Sequence, residues 1–287
     1  MKSPKNFTKQ EIKEINDSLA DYAAGNYTTG TYEECIANLH SDDIFSTQLG
    51  KLYNADCFDI LKTIPDKSID LIITDPPYNI SRQRKFTMKG RKHINIDFGE
   101  WDKWETQEEY LEWCKLWLTE CYRVLKDSGN ILVWHDKAMP FGYIMSKMGF
   151  KVKNLFIWNK TNPVPQFMKI NFLSGVELAT WCIKDLKVMT TFNFKTQKEM
   201  NNYFLHPITC GNERTAHPTQ KPIKIIKHLI EILSNQGDSV LDIFAGSSTT
   251  AVACEELNRK WICIEKEKEY FDISKKRLLN ADTMLIY

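Results

Sequence analysis

The sequence predicts an α/β fold: a mostly parallel sheet with helices on both faces, preceded by a small N-terminal helical appendage. Three observations predict it. From residue 51 onward, short apolar strands alternate with amphipathic helices, the order that builds a parallel sheet. Hydrophobic residues make up 43% of the chain and charged residues 26%, which supplies a core and excludes wholesale disorder. The length, 287 residues, suits one large domain or two small ones. The longest apolar runs, such as residues 131–134, fall far short of the ~20 that a bilayer requires, so no membrane segment is expected.

Residues 1–50 read as a helical arm. Thr8-Lys-Gln-Glu11 is a capping box, with Phe7 and Ile12 as a hydrophobic staple. Ile12, Ile15, Leu19 and Ala23 follow at helical spacing, and Gly25 can end the helix. A second box, Thr31-Tyr-Glu-Glu34, opens a short helix to about Leu39. Two short helices could grip DNA; a packing arm or dimer contact is the plainer expectation. The start, Met1-Lys-Ser-Pro-Lys5, lacks the apolar stretch of a secretion signal. The eight cysteines show no C-x-x-C pair and no metal-ligand spacing, so reduced thiols packed as small apolar residues are expected, in a cytoplasmic protein without a metal.

The remainder, 51–287, is expected as the main domain. Residues 69–74 form a buried strand. Thr106-x-x-Glu109 caps a helix to about Leu125, with Leu111, Cys114, Trp117, Leu118 and Cys121 on one face. A strand at 130–134, a helix at 138–148 and strands at 152–158 and 176–183 follow. Residues 185–214 are polar and irregular. The chain then alternates: helix 222–233, strand 240–244, helix 249–257, strand 261–265 and helix 269–279.

Two loops carry chemistry. Asp75-Pro-Pro-Tyr78 directly follows the first strand, at the carboxyl end where open α/β sheets bind ligands. Two prolines remove two N–H donors and stiffen the loop, so it presents carbonyls; Asp75 adds a carboxylate and Tyr78 a flat face. An acceptor-rich site of this kind suits a substrate NH₂ group, although a strand ending in a proline turn beside a solvated Asp would look the same. The second loop, Asp242-Ile-Phe-Ala-Gly-Ser-Ser-Thr-Thr250, joins a strand to a helix N-terminus through small residues that let a ligand approach the backbone. It is neither G-x-G-x-x-G nor a P-loop. Glu265 ends the next strand, where an acid typically accepts from ribose hydroxyls. Between the two loops, His217-Pro-Thr-Gln-Lys-Pro222 precedes a helix; Thr219 and Gln220 can hydrogen-bond a polar ligand and Lys221 can balance a carboxylate.

Taken together and in this order, Asp75-Pro-Pro-Tyr78, His217-Pro-Thr-Gln-Lys-Pro222 and Asp242-x-Phe-x-Gly-Ser-x-Thr-Thr250 closely resemble the β-group DNA amino-methyltransferases, over roughly residues 50–280. The resemblance implies a Rossmann-like methyltransferase sheet of seven strands and S-adenosylmethionine as cofactor. It assigns Asp75, Pro76, Pro77 and Tyr78 to catalysis. It assigns Asp242, Phe244, Gly246, Ser247, Ser248, Thr249 and Thr250 to the cofactor loop, with Asp75 bordering that site. Glu265 would hold the ribose, His217, Thr219, Gln220 and Lys221 the methionine end, and Asp56 of Asn54-Ala-Asp-Cys57 the adenine amino group. One departure stands out: the family loop usually reads Gly-Ser-Gly-Thr-Thr, and Ser248 replaces the second glycine. Serine there needs a negative φ or is strained, and cofactor binding is expected to survive because serine is small and caps helices well.

Asp before Pro-Pro-Tyr resembles the adenine-N6 enzymes more than the cytosine-N4 ones, and cytosine N4 stays open. The implied activity is methyl transfer to the N6 of a flipped-out adenine in double-stranded DNA, in restriction-modification, with a homodimer and a cognate endonuclease as partners and a nucleoid-associated location. Methylation of an RNA base or a protein amide is disfavoured by the motif order. A silent DNA-binding relative would be expected to lose Asp75 or the Thr249-Thr250 pair. The formal net charge is only +1, but residues 81–93 hold six Lys/Arg (Arg82, Arg84, Lys85, Lys89, Arg91, Lys92) and no acid. This basic stretch, within a loop over 81–104, is expected to meet DNA phosphates. Residues 185–214 occupy the family's place for target recognition, with Lys187, Lys195, Lys198, Asn201, Asn202 and Tyr203 as readers.

Overall fold

The computed structural model describes residues 39–79, 102–136, 141–166 and 169–284. The strands are β1 (Ile44–Ser46), β2 (Gly50–Asn54), β3 (Ile69–Thr74), β4 (Leu125–His135), β5 (Lys151–Lys160), β6 (Val176–Ile183), β7 (Tyr203–His206), β8 (Ser239–Asp242) and β9 (Lys260–Glu265). The helices are α1 (Cys57–Leu61), α2 (Gln107–Val124), α3 (Phe141–Lys147), α4 (Ile223–Leu233), α5 (Thr249–Leu257) and α6 (Lys268–Met284). Of the expected arm over residues 1–50, residues 1–38 lie outside the described residues, as does the basic stretch at 81–93.

Among the described residues the strands form one mixed nine-stranded sheet, ordered β1-β2-β9-β8-β3-β4-β6-β5-β7. The expectation of seven strands is corrected: the sheet has nine, with antiparallel pairing at β1–β2, β4–β6 and β5–β6. The edge strands explain the difference. β1 has three residues and β7 four, too short to show a periodic apolar signal, and β7 leaves Tyr203 and Leu205 exposed. The sheet also reaches upstream of residue 51, since β1 and Gly50 belong to it.

Alternation along the strands sends side chains to both faces. Ile69 and Ile72 pack with Trp117, Leu118 and Phe141 beneath α1, α2 and α3. Leu71 and Ile73 pack with Ile225, Leu229, Ala253 and Phe271 beneath α4, α5 and α6. Cys57, Cys114, Cys121, Cys182, Cys254 and Cys263 are buried free thiols within these layers, as expected of small apolar residues. The cap of α2 is also as expected: Thr106 Oγ1 accepts from the Glu109 N–H at 3.1 Å.

Two features of topology position the site. β3 and β8 are parallel neighbours, and the chain leaves β3 toward β4 but β8 toward β9 on the other side. That makes a topological switch point, where a crevice opens beyond the carboxyl ends. β6 runs against β4 and β5, so its first residues lie at that same edge: Glu177 pairs with Trp158 and Leu178 with His135. Its last residue, Ile183, pairs with Asn130 and Lys151 at the far edge.

Candidate active site

The switch point brings the two motif loops together. Thr74, the last residue of β3, donates its hydroxyl to Asp242 Oδ1 at 3.0 Å, a contact between residues 168 positions apart. Thr250 Oγ1 donates to Asp242 Oδ2 at 2.6 Å, and the Phe244 N–H donates to Oδ1 at 3.2 Å. Asp242 therefore ties β3, its own turn and the start of α5 into one unit. Burial pushes its carboxyl up to about 6 against these three donors.

The loop after β8 is tightly enclosed. Gly246 has φ +54°, and a Cβ there would sit 2.8 Å from His217 Nε2, so only glycine fits. Its N–H donates to Glu265 Oε2 at 2.7 Å, its carbonyl accepts from Ser274 Oγ at 2.8 Å, and the Glu267 N–H donates to Glu265 Oε1 at 2.8 Å. Burial pushes the Glu265 carboxyl up to about 8, beyond what the two backbone N–H groups offset. Arg277 of α6 donates to the Ser247 carbonyl at 3.1 Å and to Thr249 Oγ1 at 2.8 Å. Of the two alternatives for Ser248, negative φ or strain, the structure takes the second. Its φ is +53°, the left-handed region, because it closes the turn that launches α5. The same turn explains why glycine suits this position, and the Ser248 hydroxyl is buried with no hydrogen-bond partner.

The loop after β3 is braced from outside. The Tyr110 hydroxyl of α2 donates to the Pro77 carbonyl at 2.5 Å, and Tyr110 sits among Trp104, Trp113 and, through Trp113, Phe244. Tyr78 donates its hydroxyl to Asp75 Oδ1, and Lys221 donates to Asp75 Oδ2. Lys221 Nζ also lies 3.0 Å from Glu177 Oε2, and Lys160 Nζ lies 2.7 Å from Glu177 Oε1. Two ammonium groups and two carboxylates thus form one cluster at the carboxyl edge. Burial pushes Asp75 up while Lys221 pulls it back. For Glu177, burial is outweighed by Lys221 and Lys160, which together hold it below the usual carboxylate value. Burial disfavours the Lys221 cation, but Asp75 and Glu177 more than compensate, so it stays charged.

The 217–222 segment contributes in several ways. His217 packs edge-on against Tyr270, ring centroids 4.4 Å apart, and burial followed by Lys221 lowers its imidazole to about 4, so it is neutral. Gln220 turns inward and braces the preceding loop, its Oε1 accepting from the Thr215 N–H at 2.9 Å and its Nε2 donating to the Glu213 carbonyl at 2.8 Å. The Lys221 carbonyl accepts from Thr249 Oγ1 at 3.2 Å, which joins this segment to the loop after β8. Thr219 is exposed beside them. Asp56 stands at the opposite side of Glu265. It caps α1 through the Phe58 N–H at 3.1 Å and pairs with Lys266 at 2.8 Å.

The structure separates some residues that the sequence groups together. Lys187, Lys195 and Lys198 follow the far end of β6, and Lys195 pairs with Glu231 near the C-terminus of α4. They do not share the edge that carries Asp75. Asn202 donates to the Leu155 carbonyl at 2.8 Å, and only through β7 does the chain return to the site's edge, His206 beside Lys160. Arg82, Arg84, Lys85, Lys89, Arg91 and Lys92 lie outside the described residues. Conversely, Glu177, Lys160, Tyr110 and Arg277 are in the site's framework and escape a motif search, because each acts from an ordinary strand or helix.

Residues 69–276 match the family of DNA methylases of the N6/N4 type. The chain belongs to the N6/N4 DNA methylase family. The methylase is 39% identical over 246 residues to the type II methyltransferase M.HinfI of Haemophilus influenzae, covering 80% of this chain and 68% of the relative. It is 32% identical over 236 residues to M2.MboI of Moraxella bovis, covering 79% and 86%. The structure of an M1.HpyAVI–SAM complex aligns with a TM-score of 0.62 at 29% identity, covering 80% of this chain and 98% of that one. The cytosine-N4-specific PvuII methyltransferase shares the fold, with a TM-score of 0.62 at 22% identity over 82% and 92%. The methylase thus has the Rossmann-like fold of these enzymes with extra strands at the sheet's edges.

Proposed function

We propose that this methylase transfers a methyl group from S-adenosylmethionine to the exocyclic N6 of an adenine flipped out of double-stranded DNA, as the modification enzyme of a type II restriction system. One observation carries the choice of acceptor: Asp75, at the end of β3 beside the loop of β8, is a carboxylate kept among cations in a largely buried cluster. A neutral exocyclic amine is a weak nucleophile, because its lone pair is delocalised into the ring. Asp75 and the Pro76 carbonyl accept its two N–H bonds, which favours rehybridisation and frees the lone pair to attack. The prolines and the Tyr110 brace hold these acceptors in place, so catalysis comes from positioning and preorganised charge. Tyr78, whose hydroxyl is tethered to Asp75, offers its ring to the extruded base. No covalent enzyme intermediate is required.

The residues present fit the cofactor. Gly246 lets the loop backbone pass directly against His217 with no side chain between them, and the Ser248 hydroxyl is a buried polar atom without a hydrogen-bond partner among the described residues. Glu265 would accept from the ribose hydroxyls, Asp56 from the adenine amino group, Phe244 and residues 246–250 would line the loop, and the 217–221 segment would face the methionine end. The cofactor supplies an activated methyl group on a sulfonium. Around the site, the basic residues at 81–93 would track DNA phosphates, while a homodimer and a cognate endonuclease complete the proposed system. Among the described residues no helix is long and apolar enough to cross a membrane.

Tritiated methyl transfer from S-adenosylmethionine to duplex DNA, RNA and protein, followed by nucleoside analysis, tests the reading. Label in N6-methyladenine is expected. Label in N4-methylcytosine overturns the choice of base, and absence of label from DNA overturns the substrate.

A further inference from the structure

The cluster at the carboxyl edge poses a problem for the proposed chemistry. Asp75 is to accept an N–H from the target amine, and each of its oxygens already takes one donor, Tyr78 on Oδ1 and Lys221 on Oδ2, which compete with that amine for the carboxylate's lone pairs. The Tyr78 hydroxyl belongs to the same stiff loop and fixes the plane of the carboxylate. Lys221 is the exchangeable partner, at the end of a flexible stem with three donors. Its side chain is only 8% exposed, so an ammonium displaced from Asp75 cannot reach bulk water, and a buried cation left unpaired would be strongly unfavourable.

A second acceptor stands next to it. Glu177 Oε2 lies 3.0 Å from Lys221 Nζ, within ion-pair reach, and among the described residues this buried oxygen has no partner in hydrogen-bond geometry. Glu177 is itself anchored, its Oε1 being 2.7 Å from Lys160 Nζ. Aromatic faces flank both cations: Lys221 lies 5.2 Å from the Trp134 ring centroid and Lys160 lies 5.2 Å from that of Trp158. A small rotation of the Lys221 stem exchanges one carboxylate for the other without changing the charge of the cluster. We propose that Glu177 is a positioning residue that receives the Lys221 ammonium from Asp75 as the target amine arrives, freeing Asp75 Oδ2 to accept an N–H of that amine. This rests on the reading of Asp75 as the amine's acceptor.

A double-mutant cycle under single-turnover conditions tests it, with wild type, Glu177→Gln, Lys221→Met and the double variant compared on duplex DNA. A wild type that labels no DNA removes the underlying reading, and this proposal with it; a wild type that labels DNA makes the variants report on Glu177 alone. Glu177→Gln keeps the shape but offers the ammonium no charged destination. Its transfer rate is expected to fall on the order of 10²-fold. Its dissociation constants for S-adenosylmethionine and for duplex are expected to stay within about twofold of wild type. Once Lys221 is gone there is no ammonium to receive, so the double variant should transfer at least as fast as Lys221→Met alone. Wild-type transfer by Glu177→Gln, a loss confined to cofactor affinity, or losses that multiply in the double variant each overturn the proposal. Should Glu177→Gln fail to fold, Lys160→Met reads the same step by releasing the anchor of Glu177. Transfer should then fall with cofactor affinity unchanged, and unchanged transfer overturns it.

Discussion

Glu177 and Glu265 are both buried glutamates at the carboxyl edge of the sheet, and the protein treats them in opposite ways. Glu265 meets only neutral donors, the backbone N–H groups of Gly246 and Glu267, and burial drives its carboxyl up to about 8. Glu177 meets two lysines, which outweigh burial and hold it below the ordinary value. Asp242 and Asp75 repeat the contrast on their own loops: hydroxyls and an N–H for the first, an ammonium and a phenol for the second. Backbone and hydroxyl donors orient a buried carboxylate but do not replace its hydration, whereas a paired cation does. The half of the site assigned to the amine is therefore supplied with its own counter-charge. In the half assigned to the cofactor, no cation pairs with Glu265 or Asp242 among the described residues, whereas Asp56 at its rim is paired with Lys266.

Substitutions that exchange these two characters should break the contrast. The largest effect is expected at Asp75. Asp75→Asn keeps the side-chain shape but turns an acceptor toward a donor, and should slow methyl transfer on the order of 10³-fold, while isothermal titration finds the cofactor affinity nearly unchanged. On the other side, Asp242→Asn keeps one oxygen for Thr74 and the Phe244 N–H but turns the acceptor of Thr250 into an amide donor, and should lower stability by about 1–2 kcal/mol in a denaturant melt. The uncompensated acids also set a pH dependence. The folded-state value of Glu265 lies above its ordinary 4.5, so its contribution is fully present below that value and is lost as pH rises through about 8. Melting temperature of the cofactor-free protein should thus decline over that window, and Glu265→Gln should flatten the decline. The smallest effect is a gain. Ser248→Gly relieves a left-handed serine and removes a partnerless buried hydroxyl, and should raise stability by about 1 kcal/mol in the same melt.

The two characters were not equally legible in the sequence. The cofactor half announces itself, because a close backbone approach demands small residues in a row and an acid at the end of the next strand, all within 24 positions from Asp242 to Glu265. Asp75-Pro-Pro-Tyr78 alone could be a strand ending in a proline turn, and it gains its meaning from the 217–222 and 242–250 motifs that follow it in order. The strands from β3 onward also followed from apolar runs, apart from the short β7. What the sequence conceals is the lysine-rich support of Asp75. Glu177 and Lys160 sit on neighbouring strands in an ordinary polar and apolar mixture, and their meaning arises only when β6 turns against β5 and sets them side by side. Ser248 takes the strained one of its two alternatives for a related reason. Its local preference favours negative φ, and the enclosure by Ala245, whose carbonyl accepts the Ser248 N–H at 2.7 Å, overrides that preference. The Lys187, Lys195 and Lys198 group leaves the sheet from the edge opposite Asp75, which sequence position alone does not reveal.

The reversal of β6 has a consequence for how the enzyme can diversify. A strand that begins rather than ends at the active edge carries its chemistry on its first turn of pleat, directly after the connection over 161–175. Lengthening or shortening that connection pulls on Glu177 and so on the catalytic cluster. The connection beyond Ile183 starts at the opposite edge, where an insertion disturbs no reacting group. Growth of new loops is thus mechanically insulated from the chemistry on one side of this strand and geared to it on the other, which makes the two connections unequal sites for grafting or for evolutionary drift.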